Sequence, residues 1–311
     1  MLHRSPLATF GAASAFVCAM LRRRASQAKA PPRAAKRPQE ALVGRTDAKD
    51  TKPGLFDPPR RRLDPYLWMR DDSRKSKDVL DLLEAENVHL NVMLRQLGPL
   101  REQLYDEFLS RVKETDQSPP YAWGPYEYYA RTEEGKGYAI HCRKSRAGAS
   151  EGGEEVLLDE NALAVGRAFC DVHEVEPSPD HSRLAYSVDF VGYETYELRV
   201  LDLSTGELLP DRITGADGSL AWHSDGNALF YVTLDHTHRP YKVWMHRLGT
   251  SQAEDVCLFC ETDDEYWMGI DTSRSGRFLW IETAAKDTSE WRFLDMEAYP
   301  SDAVLGEKRA E

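Results

Sequence analysis

Three nine-residue stretches of one pattern recur along the chain: Ser178–Tyr186 (SPDHSRLAY), His223–Tyr231 (HSDGNALFY) and Ser273–Ile281 (SRSGRFLWI). Each is a polar turn running into an apolar strand, with Asp180, Asp225 and Ser275 in register at separations of 45 and 50 residues. After a polar loop each is followed by another strand, Tyr196–Leu203, Tyr241–Leu248 and Glu290–Met296, and a weaker earlier copy runs through Tyr126–Tyr129 and Tyr138–Cys142. A repeat of roughly 40 to 50 residues holding several strands cannot bury its apolar faces alone, so copies must stack face to face as propeller blades do. About four blades are expected. Asp180, Asp225-Gly226 and Ser275-Gly276 suit tight hairpins, where Gly tolerates positive φ and Asp can bond its own backbone; they read as turns, not ligands.

The repeat occupies only part of the chain. After Pro119-Pro120 the hydrophobic period is 2 as far as about Asp295. Before it, Val79, Leu82, Leu83, Leu90, Met93, Leu94 and Leu97 follow the spacing of an amphipathic helix, Gly98-Pro99 breaks it, and Leu100, Leu104, Phe108 and Val112 begin a second. Residues 1 to 50 carry 10 Lys/Arg and 3 Asp/Glu, leaving 30 against 49 for the rest. Leu7 to Leu21 is apolar or small, Arg22, Arg23 and Arg24 follow, and no acidic residue precedes Glu40. That is the composition of a targeting leader, closer to a mitochondrial or plastid transit peptide than to a secretory signal; the alternative is an unprocessed extension on a cytoplasmic protein. The stretch falls short of the ~20 apolar residues of a spanning helix, so no membrane anchor is expected. The expected organisation is a leader and disordered linker over 1–62, a helical segment over 63–117, a partial β-propeller over 118–297 and a tail over 298–311. The fold class is mainly β. A net charge of −12 disfavours nucleic acid as a partner.

Chemistry-bearing motifs are few. Five cysteines, one of them in the leader, suggest no disulfide framework. Cys257-Leu-Phe-Cys260 has metal-type spacing and Cys170 lies three residues before His173, but Val256 to Phe259 alternates like a strand, not a zinc knuckle. Buried structural thiols are expected, and no metal or cofactor. The chain has no G-x-S-x-G, no G-x-x-x-x-G-K-[ST] and no H-E-x-x-H; His173-Glu174 begins the last, but position 177 is Pro. No catalytic residue is assigned. Asp263-Asp264-Glu265 reads as a solvated loop between blades. Trp123, Trp222, Trp244, Trp267, Trp280 and Trp291 read as core or inter-blade packing.

Several segments resemble one family. Asp64–Asp72 (DPYLWMRDD) and Leu82–Leu94 look like the opening of the prolyl oligopeptidase family of serine peptidases. Tyr126–Lys144 (YEYYARTEEGKGYAIHCRK), Glu155–Ala164 (EVLLDENALA), Tyr196–Ile213 (YELRVLDLSTGELLPDRI), Arg239–Thr250 and Ser273–Glu282 resemble oligopeptidase B more than prolyl oligopeptidase itself. The resemblance implies a seven-bladed propeller over an α/β-hydrolase domain, with the N-terminal helices packed on the latter. It also implies cleavage of short peptides after Arg or Lys by a Ser-His-Asp mechanism. In the family the triad and the acidic specificity residues lie in the hydrolase domain, beyond the region matched here. The chain up to Glu311 is therefore expected to be inactive alone, to meet short peptides through its propeller, and to need the hydrolase domain in cis or in trans. Matching residues at Trp68, Arg70, Glu84, Glu86 and Asn87 would anchor the helices to that domain. The alternative is a non-catalytic propeller that binds peptides or a partner protein. Four blades leave one face uncovered, so exposed apolar surface is expected.

Overall fold

The computed structural model describes residues 30–44, 56, 58–146 and 153–302; the expected leader and most of the expected tail lie outside them. The chain divides into two compact units between Val112 and Lys113.

The second unit consists of antiparallel blades. Strands β3 (Tyr121–Trp123), β4 (Tyr126–Arg131), β5 (Ile140–Ser145) and β6 (Glu155–Asp159) form the first, and the short helix Glu160–Leu163 follows it. Next comes a continuous seven-stranded sheet of β7 (Asp171–Pro177), β8 (Arg183–Asp189), β9 (Tyr196–Asp202), β10 (Leu208–Trp222), β11 (Ala228–Leu234), β12 (Pro240–Arg247) and β13 (Val256–Cys260). It is two blades sharing one strand. The first half of β10 pairs with β9, from Leu208 opposite Leu201 to Ala216 opposite Tyr196, and its second half pairs with β11, to Trp222 opposite Leu229. The fourth blade has three strands, β14 (Trp267–Thr272), β15 (Phe278–Ala284) and β16 (Ser289–Asp295). The partial propeller read from the repeat is thus present, as four blades among the described residues.

Alternation along each strand distributes side chains between two neighbouring blades. On β8, Leu184, Tyr186 and Val188 enter the core with Tyr128 and Leu158 of the first blade, while Ala185 enters the core with Leu198, Ile213 and Tyr231. On β11, Leu229 and Tyr231 face back and Phe230 and Val232 face forward onto Met268, Leu279 and Ile281. Strands buried on both faces therefore read as unbroken apolar runs, the pattern of NALFYV and SRLAYSV. Leu279 and Ile281 of β15 are buried, but its other face carries Phe278 and Trp280 with Trp291 and Phe293 of β16, an edge-to-face aromatic cluster. Trp291 is 56% and Phe293 62% exposed. The uncovered blade face expected from the sequence is this one, and Trp267 and Trp291, read as packing residues, are exposed.

The repeated turns close alike. Ser178, His223 and Ser273 each donate their N–H to the carbonyl five residues on, at 2.8–2.9 Å, and the third residue after each has φ of +63°, +71° and +71°. Gly226 and Gly276 supply the last two; the first is His181. Its left-handed backbone costs about 1 kcal/mol, offset by contacts to the first blade. The Arg143 guanidinium donates to its carbonyl at 2.7 Å, the Tyr128 hydroxyl meets Nδ1 at 2.8 Å, and the ring packs against Trp123 and Tyr126.

The first unit pairs β1 (Gln39–Val43) with β2 (Arg60–Asp64) and continues through a 3-10 turn, Leu67–Met69, to helices α1 (Lys77–Leu94) and α2 (Gly98–Leu109). Pro99 suits the first turn of α2, where its missing N–H breaks no hydrogen bond. Asp71 organises the approach to α1 by accepting the N–H groups of Ser73, Lys75 and Ser76. Neither helix has a buried residue, and Leu83, Val88, Leu90, Tyr105 and Phe108 are each at least half exposed. The described helices include none long and apolar enough to cross a membrane.

One buried charge cluster joins the second blade to the third. His246 on β12 places Nδ1 2.7 Å from Asp255 and Nε2 3.0 Å from Asp211 on the first half of β10. Asp255 also accepts the Tyr231 hydroxyl at 2.6 Å, and Asp211 the Gly249 N–H. With a carboxylate at each nitrogen the ring donates twice and is an imidazolium. Burial pulls its pKa down, but the hydrogen bonds to Asp255 and Asp211 outweigh that and raise it. Its contribution is complete below the ordinary histidine pKa and is lost as pH rises through the raised value. Asp255→Asn should cost about 3 kcal/mol in urea unfolding near neutral pH, and the difference from the parent should shrink in alkali. A cost below about 0.5 kcal/mol would show that the cluster does not hold the blades.

Candidate functional site

The first strands of the four blades converge. Trp123 of β3, Glu174 and Glu176 of β7, Leu220 to Trp222 of β10 and Ile270 to Thr272 of β14 line one cavity of about 610 Å³. The turns carrying Pro179, Ser224 and Arg274 close part of its wall.

Backbone geometry sets the position of these groups. At the bulge in β10 between Ala216 and Leu220 the strand passes from one blade to the next, with Gly218 at φ +108°. A Cβ there would lie 2.8 Å from the His173 ring and 3.0 Å from the Tyr196 ring, so the close approach of β7 to β10 requires glycine. That approach lets the Leu220 N–H donate to the Glu174 carboxylate at 2.8 Å and the Trp222 indole N–H to the Glu176 carbonyl at 2.8 Å. Asp217 is held by the Ser219 N–H at 2.9 Å and the Ser219 hydroxyl at 3.2 Å.

The wall is acidic. Glu174, Glu176 and Asp271 face it with Arg274 as the one cationic lining residue among those described. Burial raises the pKa of Glu174, partly offset by the Leu220 N–H. Glu176 is exposed, yet it stands among protein atoms and beside like charges; desolvation, then the Glu174 and Asp271 carboxylates, push it up to about 7. Asp217 is pushed up to about 6, first by burial. Carboxylates held together at this cost in like-charge repulsion attract a cation entering the cavity.

None of these acids was singled out by sequence motif. His173-Glu174 matches only the opening of a zinc signature. The signal in the sequence is Glu174 and Glu176 at a two-residue spacing within the strand Asp171–Pro177, which puts both on one face. The cysteine pairs lie in different blades. Cys170 is buried between the first two, whereas Cys257 and Cys260 are exposed on the outer strand of the third. Buried structural thiols hold for Cys142 and Cys170, not for Cys257 and Cys260. Among the described residues no group of three or more His, Cys, Asp or Glu could hold a metal ion. The Asp263 carbonyl accepts the buried Arg239 guanidinium at 2.8 Å, and its carboxylate accepts the Glu265 N–H, so Asp263-Asp264-Glu265 is a loop pinned between β13 and β14. Trp68, expected to anchor the N-terminal helices, donates its indole N–H to the Ala35 carbonyl, and Arg70 pairs with Asp72 at the surface. Glu84, Glu86 and Asn87 lie on exposed turns of α1.

A family model described as the N-terminal β-propeller domain of prolyl oligopeptidase matches residues 48–305. The chain belongs to the prolyl oligopeptidase family. It is 40% identical over 245 residues to dipeptidyl aminopeptidase BI of Pseudoxanthomonas mexicana, covering 74% of this chain and 34% of that protein. It is 36% identical over 255 residues to protease 2 of Moraxella lacunata, covering 80% and 37%. The solved oligopeptidase B of Leishmania major superposes with a TM-score of 0.80 at 38% identity, over 86% of this chain and 38% of that one. The chain thus spans little more than a third of the length of these relatives. The subfamily resemblance read from Tyr126–Lys144 and the later segments agrees with this match.

Glu176 supplies a test of the cavity electrostatics. Its raised pKa means that the folded state holds a proton the unfolded state has released, so stability falls as pH rises from about 4.5 to about 7. Glu176→Gln should raise the melting temperature above about pH 7, and the gain should vanish below about pH 5. An unchanged melting temperature across that range would mean that water screens the site fully.

Proposed function

We propose that this chain is the propeller and N-terminal helical part of an oligopeptidase B-like serine peptidase, which cleaves short peptides after Arg or Lys in company with an α/β-hydrolase domain. The observation that carries this reading is the acidic cavity at the convergence of the blades' first strands, in a chain whose family is peptidases. A passage lined by Glu174, Glu176 and Asp271 favours peptides with basic side chains, and packed blades around it keep out folded proteins. The half-exposed apolar residues of α1 and α2 offer a surface for the hydrolase domain to cover. The aromatic face of β15 and β16 offers the same to a further blade. No residue of the chain is assigned to the chemical step, so the protein is expected to turn over nothing alone. The basic, acid-poor first 24 residues support delivery to a mitochondrion or plastid.

The test uses the purified protein with a short Arg-containing peptide whose hydrolysis releases a fluorophore. No turnover is expected. Calorimetry with an uncleaved peptide of the same sequence should show weak binding that falls with added salt, and Glu174→Gln with Glu176→Gln should weaken it about tenfold. Turnover abolished by a serine-directed inhibitor would place catalysis in this chain and overturn the reading, and equal affinity for an acidic peptide would remove the role of the cavity.

A further inference from the structure

The repeat fixes where charge sits along the cavity. Glu176 pairs with Ala185, Ala221 with Phe230 and Asp271 with Trp280, in each case the eighth residue of a nine-residue repeat. These three therefore stand at one level on the second, third and fourth blades. Pro179, Ser224 and Arg274 are the second residues of the same repeats and also line the cavity, at the rim formed by the turns. One ring of equivalent positions thus carries two carboxylates, and the ring at the rim carries one guanidinium. Glu174 lies two residues further from the rim than Glu176, on the same face of β7, and accepts the Leu220 N–H.

Opposite charges in one cavity would ordinarily pair with each other. Among the described residues neither Arg274 nor any of the three carboxylates belongs to an ion pair. Asp271 accepts the N–H of Thr272, and Arg274 stands three positions along from it, up to about 10 Å away at the rise of a strand. A guanidinium is a planar fork of donors matched to a carboxylate. At the rim that fork has no acid of its own chain to hold.

A ligand that satisfies both sets of charge carries a cation and a carboxylate on one short skeleton. An Arg or Lys at the C-terminus of a peptide does so, with roughly 7.5 Å between its α-carboxylate and its charged tip along an extended chain of single bonds. The cavity of about 610 Å³ is in the size range of small-ligand sites. An internal Arg or Lys offers the same cation but an amide where the carboxylate would be, and leaves Arg274 without a partner.

We infer that the cavity binds the C-terminal residue of a peptide ending in Arg or Lys, with the free α-carboxylate on Arg274 at the rim and the cationic side chain among Glu174, Glu176 and Asp271. The inference rests on the reading that the acidic cavity admits basic peptides. It narrows the ligand to the fragment that cleavage after Arg or Lys releases, so the site holds product and not only incoming substrate.

The test is calorimetry of the purified protein at pH 8, where Glu176, at about 7, is ionised. The probes are N-acetyl-Ala-Arg with a free C-terminus and the same peptide as its C-terminal amide. A cavity that only attracts cations would prefer the amide, which lacks the carboxylate's negative charge. The free acid should instead bind about tenfold more tightly. Arg274→Gln should remove that preference while amide binding still weakens with salt, and Arg274→Glu should reverse it. Arg274 loses no partner in either variant, and a melting temperature equal to the parent's checks that both are folded. Amide binding equal to or tighter than acid binding in the parent would overturn the inference and leave the attraction for basic peptides standing, as would a preference for the acid that survives Arg274→Gln. Binding of neither peptide would overturn both.

Discussion

The second and third blades share a strand, and much of the molecule follows from how β10 crosses between them. Hydrogen bonding continues from β7 to β13 without a break because one backbone serves as the last strand of one blade and the first of the next. A strand can do this only if it turns sharply midway, and the bulge at Ala216–Leu220 with Gly218 in a left-handed conformation is that turn. The same turn brings β10 against β7, so the Glu174 carboxylate can bond the Leu220 N–H. The acidic cavity is therefore a consequence of blade connectivity before it is a feature of any side chain. Filling the space at Gly218 would push His173 and Tyr196 away and separate the strands that make its wall.

Charge in the core and charge on the cavity wall are handled differently. His246 is enclosed by two carboxylates, and the Tyr231 hydroxyl and the Gly249 N–H donate to those carboxylates as well. A buried ionic group so enclosed holds its blades in one register, since any shift along β10 would strand a charge in the core. Glu174, Glu176 and Asp271 are arranged with too few donors to satisfy them. Glu176 and Asp271 are exposed, so solvent takes up charge that the chain itself does not pair. The contrast separates structural acids from candidate binding acids by their partners, where residue type alone does not.

The repeat made the blades legible because its signals are local: a turn with Asp, Ser or Gly in fixed positions, then a strand apolar on both faces. His181 shows where such reading weakens. It fills a place taken by glycine in the other two copies, and the reason lies 38 and 53 residues upstream in Arg143 and Tyr128. A bulge in β13 at Leu258 hides in the same way. Five residues, VCLFC, fit a regular strand, and only the pairing with β12 shows that one is extra. The acids of the cavity come from two strands about a hundred residues apart and gain meaning from convergence, which no spacing in the chain encodes.

Strand β15 carries the same code as β8 and β11, apolar at consecutive positions, yet only Leu279 and Ile281 are covered. Phe278 and Trp280 meet Trp291 and Phe293 edge to face instead, so the rings cover one another only in part. A sheet face meant for water would alternate with polar residues, as antiparallel sheets solvated on one side do. Trp291 and Phe293, each more than half exposed, forgo much of the burial that an aromatic side chain gains in a core. A surface of that composition belongs to an interface, in the same sense that β11 would look unfinished if the fourth blade were lifted from Phe230 and Val232.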